Sequence, residues 1–205
     1  PSPSPSSSPA AKPKAREEAP VPPQIVLDQA PPPQAALREK LLPYLNIRSA
    51  SVQDWSPDGK SLFITTRFGN AAQLHRVDFP IGARHQLTFF DEPVRAVRTA
   101  HVKERPFLVF QRDVGGGEDF QVFRFDLDTR ATTLLTDGSS RNASFLLSHD
   151  GQQLAFTSNA RNGKDMDVWV MDPRDPATRR KVADVKGDFD ILDWARDGKR
   201  LLVGE

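Results

Sequence analysis

The sequence predicts an all-β protein made of repeated four-stranded antiparallel sheets, and three observations carry that expectation. From about Ile47 onward, short apolar runs such as SLFITT, QLHRVDF, PFLVFQ, QVFRFDL, QLAFTS and DVWVMD alternate with Asp-Gly, Gly-Asn and Asn-Gly dipeptides. Short strands separated by tight-turn residues read as β structure. Next, an Asp-Gly unit recurs as WSPDGKSLFI (Trp55 to Ile64), SHDGQQLAFTS (Ser148 to Ser158) and WARDGKRLLV (Trp194 to Val203). Its aspartates, Asp58, Asp150 and Asp197, lie 92 and 47 residues apart, so the unit is about 46 residues long and a member is missing near position 104. There the chain reads HVKERPFLVFQ, with Glu104 in the aspartate position and Leu108 in the place of Leu62, Leu154 and Leu201. The last observation is a second element with the same period: QLHRVD ending at Asp78, FQVFRFD at Asp126 and DVWVMD at Asp172. Each is followed by a third (RHQLT, TTLLTD, RRKVAD) with Leu87, Leu135 and Val182 in register.

Each unit therefore holds about four short strands. A four-stranded antiparallel sheet repeated every ~40–45 residues is a β-propeller blade. One blade cannot cover both of its own faces and needs a neighbour on each side. Residues 47–205 are expected to form a partial propeller of about three blades and the start of a fourth.

The segment ahead of the blades differs in character. Eleven of the 18 prolines fall between Pro1 and Pro33, where the larger apolar residues are Val21, Ile25, Val26 and Leu27. Proline fixes φ and lacks a backbone donor, so residues 1–33 are expected to form an extended, disordered arm. Residues 34–46 are expected to hold a short helix and lead-in. In QAALREKLLPY (Gln34 to Tyr44), Ala36, Leu37, Leu41 and Leu42 stand at helical spacing.

Composition narrows the function classes. The 28 basic and 27 acidic side chains nearly cancel, leaving a formal charge of +1. That balance gives no electrostatic basis for binding nucleic acid or an anionic membrane. No apolar run approaches the roughly 20 residues of a membrane-spanning helix. With no cysteine, disulfides and thiol catalysis are excluded. A Pro/Ser/Ala-rich start without Met fits a processed, exported protein, so a periplasmic or secreted location is expected.

DWSPDGKSLFITTRFGN, SHDGQQLAFTSNARNGKDMDVWVMD and DWARDGKRLLV resemble Asp-Gly propeller repeats shared by two groups. These are the Tol-system periplasmic propeller protein and the propeller of prolyl oligopeptidase-family serine peptidases. Ser51 to Val94, including the LTFFDEP run, and Gln111 to Gly138, with its Gly-rich acidic loop, resemble the first and second blades of bacterial acylaminoacyl- and dipeptidyl-peptidase-like members. The resemblance spans about Leu37 to Glu205. It implies a non-catalytic propeller that gates access of peptides to an α/β-hydrolase domain not present in this chain. No Gly-x-Ser-x-Gly nucleophile motif occurs here, so the chain is expected to be inactive alone. The alternative is a stand-alone periplasmic propeller acting as a protein-binding scaffold.

Candidate chemistry is sparse. Ser148-His149-Asp150 has the letters of a catalytic triad, but they align with the turn residues Ser56-Pro57-Asp58 and Ala195-Arg196-Asp197. A triad needs side chains that converge in space, so no catalytic residue is nominated. Asn159, Asn162, Asp165 and Asp167 invite a calcium-loop reading, but they do not follow the alternating ligand order of such loops. No metal site and no cofactor are expected. The loop from Asp113 through three glycines to Glu118 and Asp119 is the candidate substrate- or interdomain-facing loop, where Glu118 is expected either to attract a peptide amino terminus or to pair with an interdomain arginine. Arg67, in the corresponding loop of the preceding unit, is the other candidate. Trp55, Trp169 and Trp194 are expected in the blade core.

Overall fold

A computed structural model describes residues 17–21, 23–113 and 115–205. Two compact units emerge, Pro1–Ile47 and Arg48–Glu205. Residues 1–16 of the expected Pro-rich arm, and Pro22, lie outside the described residues. In the described part Glu18 bridges Gln34 in antiparallel fashion, and the Ala19 amide donates to the Pro33 carbonyl at 2.7 Å. Helix α1 (Ala35–Leu45) follows, one residue later at each end than the leucine spacing suggests. It starts at Gln34 without a side-chain cap, contains Pro43, and buries none of its residues. No helix among the described residues is long and apolar enough to cross a membrane.

The second unit consists of consecutive β-propeller blades. The first sheet has β1 (Ala50–Trp55), β2 (Leu62–Thr66), β3 (Gln73–Val77) and β4 (His85–Gln86) in sequence order. The second has β5 (Arg95–Thr99), β6 (Phe107–Arg112), β7 (Gln121–Asp126) and β8 (Thr132–Leu134). The third has β9 (Asn142–Leu147), β10 (Leu154–Ser158), β11 (Asp167–Asp172) and β12 (Asp175–Ala183). A two-stranded sheet of β13 (Asp190–Trp194) and β14 (Leu201–Gly204) comes last. Every pairing is antiparallel.

Strand alternation explains how the sheets stack. In β6, Leu108 and Phe110 join Phe63 and Leu74 of the first blade, while Phe107 and Val109 join Leu154 and Phe156 of the third. In β11, Val168 and Val170 pack on Ile191 and Trp194 of the last sheet. A strand buried on both faces reads as a continuous apolar run, which is why PFLVF lacks polar alternation. Burying a Phe or Leu side chain contributes ~1.5–3 kcal/mol, so these inter-sheet layers are the main source of cohesion.

The Asp-Gly turns share one geometry. Ser56 donates to Asp58 at 2.6 Å and Ser148 to Asp150 at 2.6 Å, and each serine hydroxyl accepts the amide five residues on. Gly59, Gly151 and Gly198 all sit at φ +66 to +68. In the second blade the same position is Arg105, at φ +48. The unit without Asp-Gly therefore keeps a left-handed residue at this position, at a steric cost of ~1–2 kcal/mol, but not the amide hydrogen bond to the carbonyl three residues back that closes the turns at Gly59, Gly151 and Gly198.

The expectation for the tryptophans holds for Trp194 but not for Trp55, which is 54% exposed. No preceding sheet among the described residues covers that face of the first blade, where Trp55, Leu62, Val77, Phe79 and Ile81 line an apolar hollow of about 400 Å³.

Candidate functional site

In a four-stranded meander, the start of the first strand, the end of the second and the start of the third share one edge. The pairings Arg95↔Gln111 and Arg112↔Gln121 put that edge of the second blade beside the Gly-rich loop between β6 and β7. The loop leads away from Asp113, which is only 8% exposed. Gly115 and Gly116 follow at φ +69 and +76, values that suit glycine, and Glu118 takes φ +61 despite its side chain.

The loop is anchored at its base. Arg112 pairs with Glu92 of the first blade at 2.6 Å, and its guanidinium lies over the rings of Phe90 (4.5 Å) and Phe123 (4.9 Å). The Gly115 amide also donates to Glu92, and together with Arg112 it holds the Glu92 carboxyl below its ordinary pKa.

A cleft of about 600 Å³ opens between this loop and the entry to the third blade. Glu118, Asp119 and Phe120 line one side; Arg95, Gln111 and Arg141 line the rest. Three buried amides bind its walls together. Gln121 donates to the carbonyls of Asp119 (3.0 Å) and Ser140 (2.6 Å), and Asn142 donates to Phe120 (2.8 Å) and Ser140 (2.8 Å). Gln111 reaches across the seam to the carbonyls of Asn142 (3.0 Å) and Ala143 (2.8 Å). Every amide NH2 group named here is bonded, with only the buried Asn142 Oδ1 left without a partner, and such a network holds a site in shape before any ligand arrives. The guanidinium of Arg95 rests over the Phe120 ring at 5.0 Å. Among the described residues, Arg95, Arg141, Glu118 and Asp119 form no ion pairs with one another.

Of the residues nominated from sequence, Glu118 and Asp119 share this cleft, whereas Asp113 and Arg67 do not line it. Arg67 follows β2 in the first blade's equivalent loop. Arg95 and Arg141 stand at or beside strand starts with nothing in the local sequence to mark them. The glutamines, by contrast, are marked by the repeat. Gln73 and Gln121 stand 48 residues apart, and each accepts from a threonine, Thr88 or Thr136, in the third repeated element. That pairing was a signal available in the repeat.

The equivalent corner of the third blade is ionic. Arg161 donates to Asp167 at 2.6 Å and to Asp165 at 3.3 Å, and Lys181 lies 3.8 Å from Asp167. The Arg161 hydrogen bond, with help from the Val185 amide, holds Asp167 below the ordinary carboxylate pKa; Asn162 and the Gly187 amide do the same for Asp165. A guanidinium thus fills the space the calcium reading would give to a cation. No cluster of three or more metal-ligating His, Cys, Asp or Glu side chains occurs among the described residues. Ser148 donates a hydrogen bond to Asp150, and His149 Nε2 lies 3.1 Å from the Trp194 carbonyl on the next sheet. These three residues tie a turn to its neighbour and form no relay.

Comparison with solved structures supports the fold. The chain is similar to TolB from Acinetobacter baumannii (TM-score 0.54, 22% identity, 68% of this chain and 33% of that one). It is also similar to a putative TolB from Agrobacterium tumefaciens (TM-score 0.53, 21% identity, 68% and 50%). A prolyl endopeptidase matches with a TM-score of 0.49 and 16% identity over 71% of this chain and 23% of its own, too slight a likeness to argue from. The chain spans a third to a half of the TolB structures' length. No protein-family model and no curated protein sequence matches it. The class these findings define is the β-propeller, and they reach no further than the fold.

Proposed function

We propose that this chain is the non-catalytic, peptide-engaging part of a propeller protein that works in the periplasm or outside the cell. The observation that carries this reading is the braced cleft between the second and third blades, whose carboxylates and guanidiniums are left available to a ligand carrying both charges. In the first form of the proposal the propeller gates peptides to a hydrolase domain elsewhere in the protein, as the resemblance of Ser51–Val94 and Gln111–Gly138 to peptidase blades implies. In the second it is a stand-alone scaffold that holds protein partners, a reading favoured by the TolB-like fold. Both use the face that carries the β6–β7 loop, and neither needs a cofactor.

The test is to incubate the 205-residue chain with a mixture of short peptides and with a fluorophosphonate serine probe. Peptide binding without cleavage or labelling is expected. Hydrolysis by this chain would overturn the non-catalytic reading. Failure to bind any short peptide, with tight binding to folded proteins instead, would replace the gate with the scaffold.

A further inference from the structure

We propose that Arg95 and Arg141 form a clamp for the free α-carboxylate of a peptide, making the cleft a reader of peptide carboxy-termini. The inference rests on the peptide-engaging reading and specifies which end of the ligand is recognised and by which residues.

The two arginines come from different blades. Arg95 opens β5, and Arg141 immediately precedes β9. Both inner strands start at the same edge, so both side chains border one cleft of about 600 Å³, within the ~300–1,000 Å³ typical of ligand sites. A guanidinium presents two parallel N–H donors that match a carboxylate, and two of them on one anion give the strong, charge-assisted geometry that a lone lysine lacks. Arg95 is partly ordered already by the Phe120 ring beneath it. The backbone of Arg141 is fixed by the hydrogen bond its N–H donates to Asn159 Oδ1 at 2.9 Å, and by the Asn142 hydrogen bonds that follow it. Less conformational freedom is then lost on binding.

The other side of the cleft selects against simple anions. Glu118 and Asp119 face the same space. A polyphosphate or nucleic acid strand would meet these carboxylates as well as the arginines, whereas a peptide carries its negative charge at one end only. A short peptide with a free amine, or with a basic side chain a residue or two before its end, satisfies both sides.

The experiment compares three ligands on the 205-residue chain by calorimetry: trialanine, its C-terminal amide and its N-acetyl form. The free acid should bind at least tenfold more tightly than the amide. Arg95→Gln with Arg141→Gln should abolish that difference. Arg98→Gln, which removes a positive charge outside the cleft, should leave it intact. The four cleft charges lie at the surface, so thermal melting of each variant should match the parent and exclude misfolding as the cause. Acid and amide binding with equal affinity would overturn the clamp while leaving the peptide-engaging reading standing. No binding of any of the three would overturn both.

Discussion

Trp55 and Trp194 occupy the same position of the repeat, each opposite a leucine of the next strand (Leu62 and Leu201), yet they live in opposite environments. Trp194 is 4% exposed, lies against the third blade and donates its indole N–H to the Leu146 carbonyl at 3.1 Å. Trp55 is 54% exposed on a face with no sheet against it among the described residues. Trp194→Phe should therefore destabilise the chain by roughly 2 kcal/mol through lost packing and an orphaned carbonyl, and Trp55→Phe by less than about 0.5 kcal/mol. Denaturant unfolding of the two variants checks this, and the reverse order would refute the assignment.

The bare face around Trp55 also bears on solution behaviour. Contiguous apolar surface of this kind favours association. Light scattering on the 205-residue chain should detect oligomers, and Trp55→Ser combined with Phe79→Ser and Ile81→Ser should shift it toward monomer. A sharply melting monomer of the parent chain would count against this.

Acid should weaken the third blade. The carboxyl of Asp167 is fully buried and held below its ordinary pKa, chiefly by Arg161. A carboxyl whose folded pKa is depressed adds stability above its unfolded value of about 4, and loses it as pH falls through the folded value. Asp167→Asn should cost roughly 2 kcal/mol at pH 7. That is less than the ~3–5 kcal/mol of a fully buried pair, because Arg161 keeps 35% of its side chain exposed. The variant's melting temperature should vary less with pH below about 4 than the parent's.

Gln121→Ala removes an amide that makes bonds to Asp119, Ser140, Thr136 and Gly138 and is 1% exposed. It should destabilise by about 3 kcal/mol, since several buried partners lose their bonds at once. It should also weaken peptide binding, because the walls of the cleft are no longer tied. Melting and calorimetry on the same sample separate the two effects.

Ser148 should remain unlabelled by a fluorophosphonate probe, because its hydroxyl donates to Asp150 and accepts from the Gln153 amide. Stoichiometric labelling, read by mass spectrometry, would contradict the turn.

Much of this architecture is written locally. The aspartates at 58, 150 and 197, with the leucines four residues on, set strand positions that depend only on neighbours in the chain. Gln111 meets Ala143 across a seam between blades, and Arg95 and Arg141 border one cleft from its two sides, yet none of these residues carries a local motif. Glu118 and Asp119 were visible because glycines flag a loop; the arginines opposite them became visible only once two blades were stacked. Trp55 was misplaced for a related reason: a repeat position predicts what a side chain is shaped to meet, and whether a neighbour is present is a separate matter.

Arg105 carries the consequence of its turn into the question of how repeats are recognised. Counted by its letters, this repeat position reads Asp-Gly three times; counted by the sign of φ it recurs four times, because Arg105 is left-handed as Gly59, Gly151 and Gly198 are, although its amide does not make their closing bond. What passes from one copy of this repeat to the next is a reversal of the chain at one point, and that reversal survives at Arg105 without either the letters or the bond that accompany it elsewhere.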